Sequence, residues 1–217
     1  MQGTWLQPLK PGENRIAVMG GAFDPVHVGH LWICHEAMKA CDLDRIFLLP
    51  SFIPPHKAHC TAPFHDRLQM LRLALEQEGS NHGSLLSTCD LENHLGNPSF
   101  SFRTVQALRQ AWGPTIWLAF IIGTDALAEI DTWYHAAGFV ELCNALLVAG
   151  RPSHGLHCPL PCAKKKLVFL GDSPFAISST MIRERLQNEA PIRYLVPDTV
   201  EEFILKKGLY VGHKCRA

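Results

Sequence analysis

Apolar positions along the chain come in short clusters that switch between two periods. Residues 15–19 carry Ile16, Ala17, Val18 and Met19 in succession and stop at Gly20 and Gly21, as a buried parallel strand does where it meets a glycine turn. From His30 onward Leu31, Cys34, Ala37, Met38 and Cys41 recur every three or four positions, the period of an amphipathic helix. The same alternation predicts a second strand at 45–49, a loop at 50–64 and a helix at 68–75. Beyond these it predicts a third strand at 85–88, a helix through Val105, Leu108, Ala111 and Trp112, and strands at 116–122, 145–148 and 167–170. Strands separated by helical segments belong to the α/β class, a doubly wound parallel sheet that binds ligands beyond the carboxyl ends of its strands. Residues 150–166, with Pro152, Pro159, Pro161 and the run Lys164, Lys165 and Lys166, read as a connection inside one domain. The expected organisation is a single domain over 1–217, with 1–14 as an extension ahead of the first strand.

Composition narrows the function classes. With 47% hydrophobic and 18% charged residues the chain has material for a core and too little charge for disorder. Lys plus Arg equals Asp plus Glu at 20 each, so no global basic field exists and nucleic acid is not an expected partner. Phosphate recognition has to be local. The longest apolar run, 116–122, is far below the roughly 20 residues of a membrane-spanning helix, so no membrane partner is expected. The first fifteen residues hold Pro8, Pro11, Gly12 and Glu13 and no apolar stretch of a secretory signal, which predicts a cytoplasmic protein. Eight cysteines scattered through such a chain are expected as reduced, mostly buried thiols.

The segment 20–30 reads GGAFDPVHVGH and lies between the first strand and the first helix. Glycines let a backbone approach phosphate, and the helix start offers unpaired N–H groups and the positive end of a dipole. His27 and His30, three apart, can reach one side of that turn. Two imidazoles there suit the phosphates of a nucleoside triphosphate. Zinc would need a third or fourth ligand, no HExxH helix is present, and GxGxxG is absent, which counts against hydride transfer. A second stretch, 177–183, reads ISSTMIR. Ser178, Ser179 and Thr180 can cap a helix or bond phosphate oxygens, and Arg183, one turn on, adds a fork-shaped cation.

Together GGAFDPVHVGH and ISSTMIR resemble the paired signature of the nucleotidyltransferase superfamily, GxFDPxHxGH and ISSTxIR, related to the HIGH-bearing tRNA synthetases. Within it the chain is most similar to the bacterial nicotinate-nucleotide adenylyltransferase family. The residues that carry this are Pro54, Pro55, His56 and Lys57, then 98–101, 123–125, 132–134, and Arg151 with Pro152. Ala22 departs from the usual threonine and Phe100 from the usual tyrosine.

The resemblance implies a Rossmann-like sheet of the nucleotidyltransferase type. It also implies transfer of AMP from ATP to nicotinate mononucleotide, with Mg2+ as the accompanying ion and deamido-NAD and pyrophosphate as products. An attacking phosphate is already an anion, so the lack of an obvious carboxylate dyad is no obstacle. By resemblance His27, His30 and Arg183 are catalytic, and Gly20, Gly21, Ala22, Phe23, Gly29, Asp125, Ile177, Ser179 and Thr180 bind ATP. Lys57, Ser101, Trp133, Tyr134 and Arg151 take the acceptor, Trp133 by stacking on the nicotinate ring, and Asp125 contacts a ribose. Without the resemblance, Asp125 equally suits a helix cap, Trp133 a core position and Lys57 a solvated loop. The remaining clusters are weaker. His154, His157, Cys158 and Cys162 lack an established zinc spacing, His56, His59, Cys60 and His65 lie in a loop, His65 and Asp66 make one phosphohydrolase-like dipeptide, and the lysine run suits a solvated turn. Pantetheine-phosphate or cytidylyl transfer and a non-catalytic nucleotide-sensing module are the alternative functions.

Overall fold

A computed structural model describes residues 8–53, 60–82, 85–150, 158–171, 174 and 176–211. Six strands, β1 (Arg15–Gly21), β2 (Arg45–Pro50), β3 (Leu86–Thr88), β4 (Trp117–Gly123), β5 (Ala145–Ala149) and β6 (Leu167–Phe169), form one sheet in the order β3-β2-β1-β4-β5-β6. Every neighbouring pair is parallel, with Val18 of β1 opposite Phe47 on one side and Phe120 on the other. This is the doubly wound order, and it reverses between β1 and β4, where such sheets open a crevice at the strands' carboxyl ends.

Both faces of the sheet are buried, which explains why its strands read as continuous apolar runs. Ile16, Val18, Phe47, Phe120, Leu146 and Val148 face α3 (Ser101–Trp112) and α5 (Ala136–Leu142) through Val105, Leu108, Phe139 and Val140. Ala17, Met19, Ile46, Leu48, Ile121 and Leu147 face the other way. Against them pack α1 (Val28–Cys41), α2 (Phe64–His82), α6 (Ser179–Gln187) and α7 (Asp198–Lys207). A short α4 (Thr124–Ala128) follows β4.

The predicted strands are all present within a residue or two of their expected bounds, whereas the helix expected at 68–75 runs over Phe64–His82. Part of the expected connection is structured: Pro161–Lys166 form a 3-10 helix, and Lys166 Nζ donates to the carbonyls of Val140, Glu141 and Cys143 at the end of α5. That ammonium supplies the donors a helix C-terminus lacks. Among the described residues seven cysteines are reduced thiols, with Cys34, Cys41, Cys89, Cys143 and Cys158 buried. Burial pushes the thiols of Cys34, Cys89 and Cys143 up to about 12, so they pack as small hydrophobes. Among the described residues no helix is long and apolar enough to cross a membrane.

Candidate active site

The crevice above β1 and β4 is a cleft of about 900 Å³. Gly20, Gly21, His27, His30, Asp125, Ile177, Ser179 and Thr180 line it together with Ser101, Trp133 and Tyr134. Residues expected at the nucleotide and at the acceptor thus share one space. Ala22, Phe23, Gly29 and Arg183 are not among its lining residues. Lys57 and Arg151 lie outside the described residues, as do His56, His59, His154, His157 and Cys215.

The two imidazoles are set by the local chain. His27 precedes α1, His30 occupies its first turn, and their rings stack with centroids 3.7 Å apart. The His27 backbone N–H donates to His30 Nδ1 at 3.2 Å. Gly29 makes the stack possible, because a Cβ there would stand 3.0 Å from His27 Nδ1. Phe23, at φ 48 and buried, meets the His30 ring edge-on at 5.0 Å. His27 is only 7% exposed, and its Nδ1 has no hydrogen-bond partner among the described residues. Burial lowers its pKa from 6.5 to about 4, so the ring is neutral at physiological pH. The helix start is less open than its sequence suggests: the Val28 N–H donates to the Leu195 carbonyl at 3.0 Å.

The late motif docks onto the early one. Ser178 caps α6 by accepting from the Met181 N–H, while Ser179 Oγ donates to the Pro25 carbonyl at 2.9 Å. Arg183 donates through Nη1 to the Asp24 carbonyl at 2.7 Å and through Nη2 to Thr180 Oγ1 at 3.2 Å. A guanidinium has five N–H donors, so this anchoring leaves others for a ligand. Ser178 thus takes the capping role, while Ser179 and Arg183 tie the helix to the histidine loop.

At the far end of the cleft Trp133 is half-buried and leans on Phe139 at 5.3 Å between centroids. Tyr134 is 42% exposed and stacks on Phe100 at 4.5 Å, with the Arg103 guanidinium 5.5 Å from the Tyr134 ring. The Phe100 departure thus keeps an aromatic platform. Asp125 sits in the first turn of α4, whose N-cap is Gly123, so it does not cap that helix.

The cytidylyltransferase-like family profile matches residues 18–185. The nicotinate-nucleotide adenylyltransferase of Bacillus subtilis is 38% identical over 199 residues, covering 91% of this chain and 98% of its own length. This chain belongs to that family. A probable nicotinate-nucleotide adenylyltransferase of Coprothermobacter proteolyticus is 33% identical, covering 94% of this chain and 98% of its own. The solved Plasmodium falciparum nicotinic acid mononucleotide adenylyltransferase complexed with NaAD has the same fold. Its TM-score is 0.74 at 21% identity, over 91% of this chain and 97% of that one.

Several residues of the site went unseen in the sequence. Arg67 of α2, 1% exposed, donates to the carbonyls of Ala62, Ala22, Ser51 and Phe52 and so holds the loops after β1 and β2 together. Glu92 lines the cleft, and its buried carboxyl takes a hydrogen bond from Thr104 Oγ1 at 3.0 Å. Desolvation raises its pKa, against hydrogen bonds that lower it. Only the placement of a charged residue inside the apolar stripe of α2 could have pointed to Arg67. The Asp24 carboxylate, the obvious third metal ligand beside the histidines, is instead engaged with Thr61 N–H, Ala62 N–H and the Tyr210 hydroxyl. Among the described residues no three His, Cys, Asp or Glu side chains group around a metal position, so the donor set does not fit a resident ion.

Proposed function

We propose that this chain transfers the adenylyl group of ATP to the phosphate of nicotinate mononucleotide, yielding deamido-NAD and pyrophosphate. One observation carries the reading: His27, His30, Ser179 and Thr180 share a single cleft with Ser101, Trp133 and Tyr134, in a chain of this family. The triphosphate would lie along Gly20 and Gly21 near the start of α6, and magnesium would enter with it as the MgATP substrate and screen its charge. A phosphate oxygen of the acceptor attacks the α-phosphorus in line. As that bond forms, the bond from the α-phosphorus to the bridging oxygen breaks, and its electron pair leaves with pyrophosphate. No base is required, because the nucleophile is an anion before it binds.

The protein's part is orientation and stabilisation of shifting charge. A neutral His27 donates a hydrogen bond from its buried position, and an adjacent polyphosphate would raise its affinity for a proton. His30 meets the same oxygens, and Arg183 brings a fixed cation from α6. Ala22 and Phe23 hold the turn, Gly29 makes room for the His27 ring, Ile177 walls the nucleotide, and Asp125 accepts from a ribose hydroxyl. Trp133 stacks on the nicotinate ring while backbone N–H groups at Ser101 and Tyr134 hold its carboxylate, and Lys57 and Arg151 complete the acceptor side.

Incubation with ATP, magnesium and each candidate acceptor tests the assignment. Pyrophosphate and deamido-NAD are expected with nicotinate mononucleotide. Release with phosphopantetheine alone would move the chain to another branch of the superfamily, and ATP binding without release under any condition would make it a nucleotide-sensing module.

A further inference from the structure

Asp24 joins several separate segments to the histidine loop. Its carboxylate, 4% exposed, accepts from the Thr61 N–H at 2.7 Å, the Ala62 N–H at 3.0 Å and the Tyr210 hydroxyl at 2.7 Å, while its carbonyl accepts from Arg183. Its chain neighbours are Phe23, packed on the His30 ring, and Pro25, bonded to Ser179. Tyr210 arrives from 186 positions away, in the turn after α7, at φ 65 and 7% exposed. Two guanidiniums flank the chain at Asp24, Arg183 on the Asp24 carbonyl and Arg67 on the Ala22 carbonyl. Arg67 is committed to four carbonyls, whereas Arg183 has donors to spare. A buried carboxylate that loses a donor recruits a nearby cation, and here that cation is Arg183, already bonded to the Asp24 carbonyl and assigned to the phosphates by the proposed function.

We infer that Tyr210 is a positioning residue for adenylyl transfer: its hydroxyl holds the Asp24 carboxylate, which fixes the histidine loop and keeps Arg183 from pairing with that carboxylate. This rests on the proposed function for its kinetic effect and on geometry alone for its structural effect. The glycine turn and the aromatic acceptor platform do not involve Tyr210, so ground-state binding survives its loss. What suffers is the alignment of His30 and Arg183 with the reacting phosphate.

Two variants of the full chain separate positioning from general destabilisation. Tyr210→Phe removes one oxygen, and Ile204→Val trims a fully buried side chain of α7 without touching Asp24. Both are assayed for kcat per titrated active site, for KM of each substrate, for Tm, and for the imidazole NMR resonances of His27 and His30. Tyr210→Phe should lower kcat about tenfold with both KM values within about twofold, and should move the His30 resonances. Ile204→Val should lower Tm comparably and leave kcat and those resonances in place. Retained kcat with unmoved resonances in Tyr210→Phe, a loss confined to KM, or an equal kcat loss in Ile204→Val would overturn the inference. If the wild-type chain transfers to no acceptor, the proposed function fails and the resonances alone decide: displacement in Tyr210→Phe supports the positioning role, and coincident spectra refute it.

Discussion

Replacing His27 with glutamine removes one titration and leaves every other histidine in place, which turns the buried imidazole into a measurable slope. An unfolded histidine binds a proton near 6.5, and burial lowers His27 to about 4 in the folded chain. Between those values the unfolded state carries more protons, so stability is fully present above the upper value and falls as pH drops through the window. Linkage puts the loss between pH 7 and pH 5 at about 2 kcal/mol, growing to about 3 kcal/mol at pH 4. Urea unfolding of wild type and His27→Gln at pH 7 and pH 5, at fixed ionic strength, isolates it. The wild type should lose about 2 kcal/mol more than the variant between the two conditions, with equal m-values. Saturating ATP should shrink that excess, since a neighbouring polyphosphate favours the imidazolium. Unfolding free energies that stay parallel across pH would show that His27 is not held neutral, and the account of its hydrogen bond to phosphate would go with it.

His30→Ala should depress turnover far more than ATP affinity, because its contact strengthens as charge builds in transfer; steady-state kinetics with a direct binding measurement checks this, and equal losses would refute it. Arg67→Met strands several buried carbonyls and should cost about 3 kcal/mol or more, read as a large fall in Tm. Glu92→Gln tests the opposite pH sign. Desolvation raises the folded carboxyl above its usual 4.5, so its cost is absent at low pH and grows as pH rises through the folded value. The variant's Tm should therefore gain on the wild type between pH 4.5 and pH 7, and a constant difference would contradict the assignment.

Much of the fold is visible in the chain because local period and tertiary burial agree there. The run ending at Gly20 and the helical spacing from Leu31 to Cys41 carry the first strand–turn–helix unit. Helices α4 and α5, of five and seven residues, are too short to show a period. Helix α7 does carry one, through Val200 and Ile204, beyond the second motif at 177–183. Within the site, two motifs announce His27, His30 and Ser179, whereas the residues that set their geometry do not. Arg67 reaches carbonyls 45 and 16 positions away, and Tyr210 reaches Asp24 across nearly the whole chain. Such partners are chosen by topology, which no local pattern encodes. Trp133 suits a core position by sequence alone and a ring platform by resemblance, and the structure puts it at the boundary, against Phe139 and lining the cleft.

Three consecutive lysines that look interchangeable in the sequence have different chemical fates. Lys164 and Lys165 are exposed, while the Lys166 amine is tied to three carbonyls at the end of α5. Acylating reagents will therefore label the first two in the native protein and spare the third until that corner loosens. Mass-spectrometric reading of Lys166 labelling becomes an internal gauge of how often the flank of the sheet opens, with its two neighbours as the reference on the same peptide.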